Sequence, residues 1–325
     1  MKLAIIGAGM IVKDFLTISQ DLEGIDFEAI IGTEVDIESM KELCEKYDVK
    51  GYYTDFDNCL ESSDWDTLYI GLPNHLHYVF AKKALKNGKN VICEKPFTLS
   101  KSQLLELGEL AFSKELILLE AITNQYLSNY QSIKETLPTL GDIKLVTCNY
   151  SQYSSRYDAF KEGTVLPAFN PKFGGGALMD INIYNIHFVI GLFGLPKSVS
   201  YHANVERDID TSGILVLDYD DKKIVCVGAK DSTTNVQTSI QGTEGFIETT
   251  SSNNIVENFD LTYYGGDSMT VDNKIHAHRM FEEFKYFNQI IQENDIEEAH
   301  RRYQHSLDVM EVVELALADA GITLG

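Results

Sequence analysis

Three glycines and two polar side chains lie close together in the stretch FGGGALMDINIYNIH, residues 173–187. Asp180 and Tyr184 are four residues apart, a spacing that puts a carboxylate and a phenol on one face of a helix. A phenol so placed can carry a proton in general acid–base catalysis, and a carboxylate can orient the group that gives up the proton. Gly174 to Gly176 would let the backbone pass close to a ligand without side chains in the way.

The same stretch also allows purely structural interpretations and a different choice of acid. A glycine-rich turn before an amphipathic helix is common, and Tyr184 could be an aromatic residue of the core. His187 could be the acid in place of Tyr184, displaced by one helical turn, or it could be a structural histidine. The spacing alone leaves these alternatives open.

A second glycine pattern, GAGMIV, follows the apolar run KLAII near the start of the chain. Gly7 allows a tight turn between a strand and a helix, and Gly9 lets backbone N–H groups approach a pyrophosphate at the helix N-terminus. Met10 and Ile11 then open the helix and belong to the same expected cofactor site. The third position of this fingerprint is Val12 rather than glycine or alanine. The pattern predicts a dinucleotide-binding turn.

The end of the second predicted strand, FEAII, is where the ribose of such a dinucleotide is recognised. Gly32 and Thr33 stand where an acidic residue usually binds the ribose, and no arginine is present to bind a 2′-phosphate. The nearby Glu34, Asp36 and Glu38 would repel that phosphate. Gly32 and Thr33 are therefore expected to line the cofactor site. We expect NAD(P), with NAD preferred, whereas a bond from Thr33 to a phosphate would reverse that preference.

A longer motif, GLPNHLHYVFAKKALKNGKNVICEKPF, occupies residues 71–97. It resembles the Gfo/Idh/MocA oxidoreductase family, in which a P-N-x-x-H stretch precedes a helix and a strand that ends in E-K-P. The resemblance covers nearly the whole chain, because the G-x-G turn, the E-K-P strand end, the G-G-G-x-x-x-D segment and two terminal helices follow in the family's order. It implies NAD(P)-dependent hydride transfer on sugars, polyols or related alcohols, and a cis peptide bond before Pro96. The expected cofactor contacts in this motif are Leu72, Pro73, Asn74, His77, Glu94 and Lys95.

The resemblance also implies catalytic roles. Lys95 matches the family's active-site lysine and Asp180 its aspartate. Many members have histidine at the position of Tyr184. The D-I-x-I-Y pattern here is similar to that of the branch that contains dimeric dihydrodiol dehydrogenase and D-xylose dehydrogenase, where the tyrosine is the acid/base. A nearby ammonium favours phenolate and a carboxylate opposes it, so Lys95 would tune Tyr184 while Asp180 orients the substrate hydroxyl or the lysine. Gln125 replaces an arginine of the family pattern, which argues against a contact to an anionic substrate there.

Strand and helix patterns alternate over the first third of the chain, as in an α/β fold with a Rossmann doubly wound parallel sheet. Asp36 is expected to cap the second helix. From about residue 142, short strands such as SVSYHANVE and GILVLDY follow with few helices between them. They predict a second α/β domain with a large, mostly antiparallel open sheet. We expect a dinucleotide-binding domain at residues 1–122 and a substrate-binding and oligomerisation domain at residues 123–325.

The composition argues against several kinds of partner. The 325 residues carry a formal net charge of −22, which repels phosphate backbones and anionic lipids, so no nucleic-acid or membrane partner is expected. No stretch has about 18 uninterrupted apolar residues. The five cysteines form no C-x-x-C pair, as in a reduced, cytoplasmic protein. The HAHR run at residues 276–279 has a metal-like spacing but no carboxylate or cysteine beside it, so no metal is expected.

Two classes of function agree with these observations. The first is a dehydrogenase for a small polyhydroxy molecule, which the presence of Lys95, Asp180 and Tyr184 favours. The second is a dinucleotide-binding regulator of the same fold without turnover, since the family that the chain resembles includes a repressor that binds the cofactor to sense its state. A regulator would be free to lose these three residues, so their presence favours the enzyme. One face of an open antiparallel sheet needs cover, so we expect a homodimer or a larger even assembly.

Overall fold

The computed structural model describes all residues from 1 to 325. The first of its two sheets has six parallel strands in the order β3-β2-β1-β4-β5-β6. The strands are β1 (Lys2–Ile6), β2 (Asp26–Ile31), β3 (Tyr52–Tyr53), β4 (Thr67–Ile70), β5 (Asn90–Glu94) and β6 (Leu118–Ala121). The helices between them are α1 (Met10–Leu16), α2 (Ile37–Tyr47), α3 (Phe56–Ser62), α4 (Asn74–Lys86) and α5 (Lys101–Ser113).

This strand order confirms the predicted Rossmann sheet. The apolar runs that form the central strands are buried on both faces, as parallel strands covered by helices must be. The order reverses between β1 and β4, so the carboxyl ends of these strands flank the crevice where such sheets bind dinucleotides. Gly7 and Gly71 directly follow these two strands.

The second sheet has eight strands in the order β14-β13-β12-β11-β7-β10-β9-β8. Only the pairing of β7 with β10 is parallel, which confirms a large, mostly antiparallel sheet. The strands are β7 (Ile143–Ser151), β8 (Ser198–Glu206), β9 (Ile209–Asp218), β10 (Lys223–Ala229), β11 (Gln237–Gly242), β12 (Gly245–Thr249), β13 (Phe259–Tyr263) and β14 (Ser268–Val271). Three α-helices belong to this part of the chain, namely α6 (Ser128–Thr136), α7 (Tyr157–Lys161) and α8 (Ile183–Phe193).

The chain forms two compact units. The first comprises residues 1–121 and 280–304, and the second comprises residues 122–279 and 305–325. The last two helices are α9 (Met280–Glu293) and α10 (Ile296–Asp319), so the unit boundary after Gln304 falls inside α10.

The expected division at residue 122 therefore differs from the structure over residues 280–304, which belong to the first unit. The reason is aromatic packing. Phe284 of α9 stacks on Phe15 of α1 with ring centroids 3.9 Å apart and meets the edge of Tyr69 at 5.0 Å. The Tyr303 ring lies directly over Gly108 of α5, where a Cβ atom would come within 2.2 Å of the ring. Contacts between residues 195 or more positions apart carry no local sequence signal.

One helical segment, Pro171–Phe193, is long and apolar enough to span a membrane by length and composition alone. In the structure, 72% of its apolar window is buried inside the protein. The segment begins with a short 3₁₀ turn, continues as a π-helix from Leu178 to Asn182, and ends as α8.

Candidate active site

The turn after β1 has the geometry that the glycine pattern predicts. Gly7 has a φ of +119°, and a Cβ atom there would lie 2.4 Å from the carbonyl oxygen of Gly71. Gly9 precedes α1 without a side-chain cap, and a Cβ atom at Gly9 would meet nothing within 4 Å. The first N–H groups of α1 thus have no side-chain cap, and Met10 at the start of the helix is exposed.

Val12 at the third fingerprint position has a structural explanation. Glycine is usual there because helix and strand approach closely. Here Val12 is fully buried, and the small residue is Gly71, whose hypothetical Cβ would lie 2.7 Å from a Val12 methyl group. Ile11 contributes a second methyl group 3.3 Å from that point. Helix α1 can therefore still approach the sheet closely, because the glycine follows β4 instead of lying in α1.

The end of β2 carries a capping box rather than a bare loop. The Thr33 hydroxyl and the Thr33 amide both donate to Oδ2 of Asp36, at 2.6 and 2.9 Å. Asp36 thus turns back towards Thr33 and makes no side-chain cap on α2, contrary to the expectation. These hydrogen bonds, the hydroxyl first, hold the pKa of Asp36 below its ordinary value. A carboxylate therefore lies beside Gly32 and Thr33, the two expected cofactor contacts.

The loops around Lys95 are held by buried polar contacts. His77 of α4 is fully buried, and its two ring nitrogens lie 2.8 Å from the carbonyl oxygens of Pro96 and Leu72. Burial lowers the pKa of His77, against the opposing effect of these carbonyls. The Lys95–Pro96 bond is cis, which confirms that expectation. His77 therefore ties the loop that begins α4, with Pro73 and Asn74, to the loop that carries Lys95.

Two carboxylates make hydrogen bonds near the end of β5. Glu94 accepts a hydrogen bond of 2.7 Å from the Tyr69 hydroxyl of β4. Glu120 of β6 is buried and accepts a hydrogen bond of 3.0 Å from the amide of Phe97. The sequence pattern led us to expect Glu94 to contact the cofactor and assigned no role to Glu120.

In the second unit, only two side chains of the segment from Gly174 to Ile190 are not buried, and they are those of Asp180 and Tyr184. Asp180 lies in the π-helix and Tyr184 in the first turn of α8. The predicted plain helix is therefore wrong at this point, because a π-turn inserts an extra residue per turn. Both residues still reach the surface of the unit. His187, expected on the same face, is fully buried, and its Nδ1 lies 2.9 Å from Nε2 of His305.

Two of the three glycines that open this segment, Gly175 and Gly176, pack on the protein itself. All three are buried. A Cβ atom at Gly175 would come within 2.8 Å of backbone atoms of residues 167–170, and one at Gly176 would lie 2.1 Å from Oδ1 of Asp210. Gly176 also has a φ of +106°. The expectation that the glycines clear space for a ligand is not what the packing shows, since they allow the segment to fit against its own unit.

Lys230 is a residue that the sequence reasoning missed. It follows β10, its side chain is 1% exposed, and its Nζ lies 2.7 Å from Oδ2 of Asp180. Its only local signal is its position directly after the strand KIVCVGA, whose side chains alternate between buried and partly exposed. Gln125 is the other informative position. It is buried and donates a 2.9 Å hydrogen bond to the carbonyl oxygen of His187, while Asn124 donates to that of Tyr184 at 2.8 Å.

No group of three or more histidine, cysteine or acidic side chains is arranged to hold a metal ion. In the HAHR run, the His278 amide donates to Nδ1 of His276, and Arg279 donates to the Thr123 hydroxyl at 3.1 Å. These contacts are those of a loop that leads into α9.

The comparison with known proteins decides the family. The sequence model of the Gfo/Idh/MocA oxidoreductase family, with its NAD-binding Rossmann fold, matches residues 1–121, and that of the family's C-terminal domain matches residues 131–248. The scyllo-inositol 2-dehydrogenase (NADP(+)) IolU of Bacillus subtilis is 32% identical over 323 residues, which are 99% of this chain and 98% of the relative. The chain belongs to the Gfo/Idh/MocA oxidoreductase family. It is an NAD(P)-dependent oxidoreductase.

Other relatives agree with this family. The trans-1,2-dihydrobenzene-1,2-diol dehydrogenase of Xenopus tropicalis is 28% identical over 253 residues, covering 76% of this chain and 74% of that protein. The 3-ketoreductase KijD10 of Actinomadura kijaniata, solved with NADP and TDP-benzene, superposes with a TM-score of 0.84 over 98% of this chain and 97% of its own. At 18% identity this last similarity shows the fold alone.

The Gfo/Idh/MocA cofactor fits the first unit on structural grounds. The space beside Gly9 is open, and the N-terminal amides of α1 carry no side-chain cap that a phosphate would have to displace. The Thr33–Asp36 box would face the ribose. Leu72, Pro73 and Asn74 form the loop after β4 at the same sheet edge.

The family motif G-G-G-x-x-x-D yields a prediction about packing. Gly176→Ala should lower the free energy of unfolding by about 1–3 kcal/mol more than Gly163→Ala, because overpacking adds to backbone strain only at Gly176. Gly163 is the matched control, since it also has a positive φ, +98°, but a Cβ atom there would meet nothing within 4 Å. Denaturant unfolding followed by circular dichroism measures both variants. Equal losses would show that contact with Asp210 does not set the requirement for glycine.

Proposed function

We propose that this enzyme oxidises, and in reverse reduces, one CH–OH group of a small polyhydroxy molecule such as a cyclic polyol, a sugar or a vicinal diol. The observation that carries the proposal is the exposure of Asp180 and Tyr184 alone on an otherwise buried segment. A carboxylate and a phenol are groups that bind and deprotonate hydroxyls. The relatives named for scyllo-inositol and for a dihydrobenzenediol support this substrate class.

Tyr184 is proposed as the general acid/base. In the direction of oxidation, its Oη takes the proton of the substrate hydroxyl as the carbinol hydrogen leaves as hydride, and the proton then passes to solvent. A bound nicotinamide supplies the hydride acceptor. Lys95 is proposed to stabilise the phenolate, since a neighbouring ammonium favours the charged form. The burial of His187 against His305 supports Tyr184 over His187.

The first prediction concerns the phenol. Tyr184→Phe keeps the ring and should lower kcat by roughly 10²–10⁴, the range that general acid–base catalysis supplies, with cofactor affinity nearly unchanged. Tyr150→Phe is the matched control, because that ring lies 6.1 Å from the Tyr184 ring and its hydroxyl has no proposed role. Steady-state kinetics on inositols, aldoses and vicinal diols measure the effect. Retained kcat in Tyr184→Phe, together with loss in His187→Ala, would move the role to His187.

The second prediction concerns the lysine. Lys95→Ala should lower kcat and raise the pKa that Tyr184 shows in the pH–rate profile, because the phenolate loses a neighbouring positive charge. Oxidation, which needs phenolate, should then begin to rise at higher pH, whereas reduction, which needs phenol, should persist to higher pH. A profile that keeps its midpoint while kcat falls would assign Lys95 to cofactor or substrate binding instead.

NAD is the proposed preferred cofactor. Asp36 is held ionised beside Thr33 by two hydrogen bonds, and its charge opposes a 2′-phosphate. NAD should bind at least as tightly as NADP, and Asp36→Asn should shift the preference towards NADP by about tenfold, equivalent to ~1.4 kcal/mol. Glu38→Gln is the control, since Glu38 is exposed and paired with Lys41. Fluorescence titration with both cofactors measures the ratio. IolU is named as an NADP(+) enzyme. A tenfold preference of this protein for NADP would contradict the proposal.

Self-association is proposed to use the outer face of the eight-stranded sheet. Val216 and Ile214 of β9 pair with Val225 and Val227 of β10, and none of these four side chains is buried. Neighbouring Leu145 of β7 is also exposed. A contiguous aliphatic surface of this kind is typical of an interface.

The corresponding prediction is an even oligomer. Ile214→Lys should convert it to smaller species, because a lysine at the centre of an apolar interface loses its hydration. Val79→Lys on α4 introduces the same charge at an equally exposed position and should leave the assembly intact. Light scattering at micromolar concentration distinguishes the states. A monomeric wild-type protein would remove the basis for this interface.

A further inference from the structure

The ammonium group of Lys230 is buried, while the carboxylate that it contacts is accessible. Nζ lies 2.7 Å from Oδ2 of Asp180, whose side chain is 41% exposed, and 2.6 Å from the carbonyl oxygen of Ala168. The ammonium also lies over the Phe169 ring, 4.4 Å from its centroid. The contacts around Nζ thus include one carboxylate, one carbonyl and one aromatic face. Asp180 therefore contacts a buried cation while more than a third of its own side chain remains exposed.

Burial of a charged lysine is costly unless the charge is paired. The pair also differs from the surface ion pairs of the same sheet, such as that of Lys223 with Asp218, where both side chains are about half exposed. A surface pair is weak because water screens it, whereas a pair with a buried member is screened less. Lys230 therefore fixes the position and favours the ionised form of Asp180.

Other titratable groups face this pair. Asp210 of β9 is fully buried, accepts hydrogen bonds from the Tyr201 hydroxyl at 2.7 Å and the Leu178 amide at 2.6 Å, and interacts with the charge of Lys230. Burial raises the pKa of Asp210, and the positive charge of Lys230 opposes that effect. Tyr184 follows Asp180 on the same segment.

We propose that Lys230 is a positioning residue that keeps Asp180 ionised and oriented as a hydrogen-bond acceptor for a substrate hydroxyl. This inference rests on the proposed function, because it assigns the acceptor role to Asp180 and leaves proton transfer to Tyr184. An acceptor that stays ionised selects substrates with a free hydroxyl beside the reacting carbon. Substrates in which that hydroxyl is methylated or absent cannot donate this hydrogen bond and should be used less efficiently.

The kinetic test is a double-mutant cycle. Lys230→Met removes the charge while keeping much of the side-chain volume, and it should lower kcat/KM by about 10- to 100-fold, as expected for a lost hydrogen bond to a charged group. In an Asp180→Asn background the same change should cost less than about threefold, because the two residues act as one unit. Lys230→Arg should restore part of the loss. Lys223→Met, on the same sheet, should leave kcat/KM unchanged. Additive losses in the cycle would overturn the inference.

A second readout needs no substrate. NMR titration of ¹³Cγ-labelled aspartates, with the Asp180 signal assigned from Asp180→Asn, compares the pKa of Asp180 in the wild type and in Lys230→Met. The pKa should rise in Lys230→Met, since loss of a neighbouring cation disfavours the carboxylate. If Lys230→Met does not fold, Lys230→Gln, which can still donate to Ala168, takes its place. An unchanged pKa overturns the role of Lys230 even in an active enzyme. A raised pKa in a protein that oxidises no polyhydroxy compound refutes the proposed function but not the ion pair.

Discussion

The burial of the segment from Gly174 to Ile190 is the constraint on which the second unit depends. A buried segment must pair every polar group that it carries inside the protein. Asn182 and Asn185 meet this requirement through a chain of amide hydrogen bonds: Asn185 donates to Asn182 at 2.8 Å, Asn253 donates to Asn185 at 2.8 Å, and the Thr238 hydroxyl donates to Asn253 at 2.9 Å. These hydrogen bonds hold the π-helix and α8 against the sheet.

The same constraint decides which side chains are available for chemistry. Asp180 and Tyr184 are the two exceptions to burial, and the polar groups behind them are committed to packing and hydrogen bonding. Gln125 and Asn124 bind carbonyl oxygens of α8, so the polar loop before α6 supports the helix. A rigid support of this kind suits the proposed acid/base, Tyr184, which must keep its position through the reaction.

The first unit follows a related principle, because close backbone approach is permitted by glycines and then locked by buried polar groups. Gly7 and Gly71 bring two strand ends within contact, and His77 ties the loops after β4 and β5 through their carbonyl groups. Glu120 holds the amide that follows the cis peptide bond. None of these groups is needed for the strand order, yet together they fix the loop that carries Lys95.

Much of the protein was determined by sequence features that act locally. The apolar runs of the parallel strands, the glycines of the first turn and the alternation in the second sheet depend on residues that are neighbours in the chain. They were enough to predict both sheets, and motif order was enough to predict the family. The spacing placed Asp180 and Tyr184 on one helical face, but it did not decide that these two side chains, and not that of His187, escape burial.

Other features were decided only by the tertiary structure. The ion pair of Lys230 with Asp180 joins residues fifty positions apart, and the stacking of Phe284 on Phe15 draws α9 into the first unit. Val12 replaces a fingerprint glycine because Gly71, on another strand, supplies the missing space. Gly175 and Gly176 fit against the unit's own backbone and Asp210. In each case the deciding contact is between distant parts of the chain, so its energy depends on three-dimensional packing that no local spacing encodes.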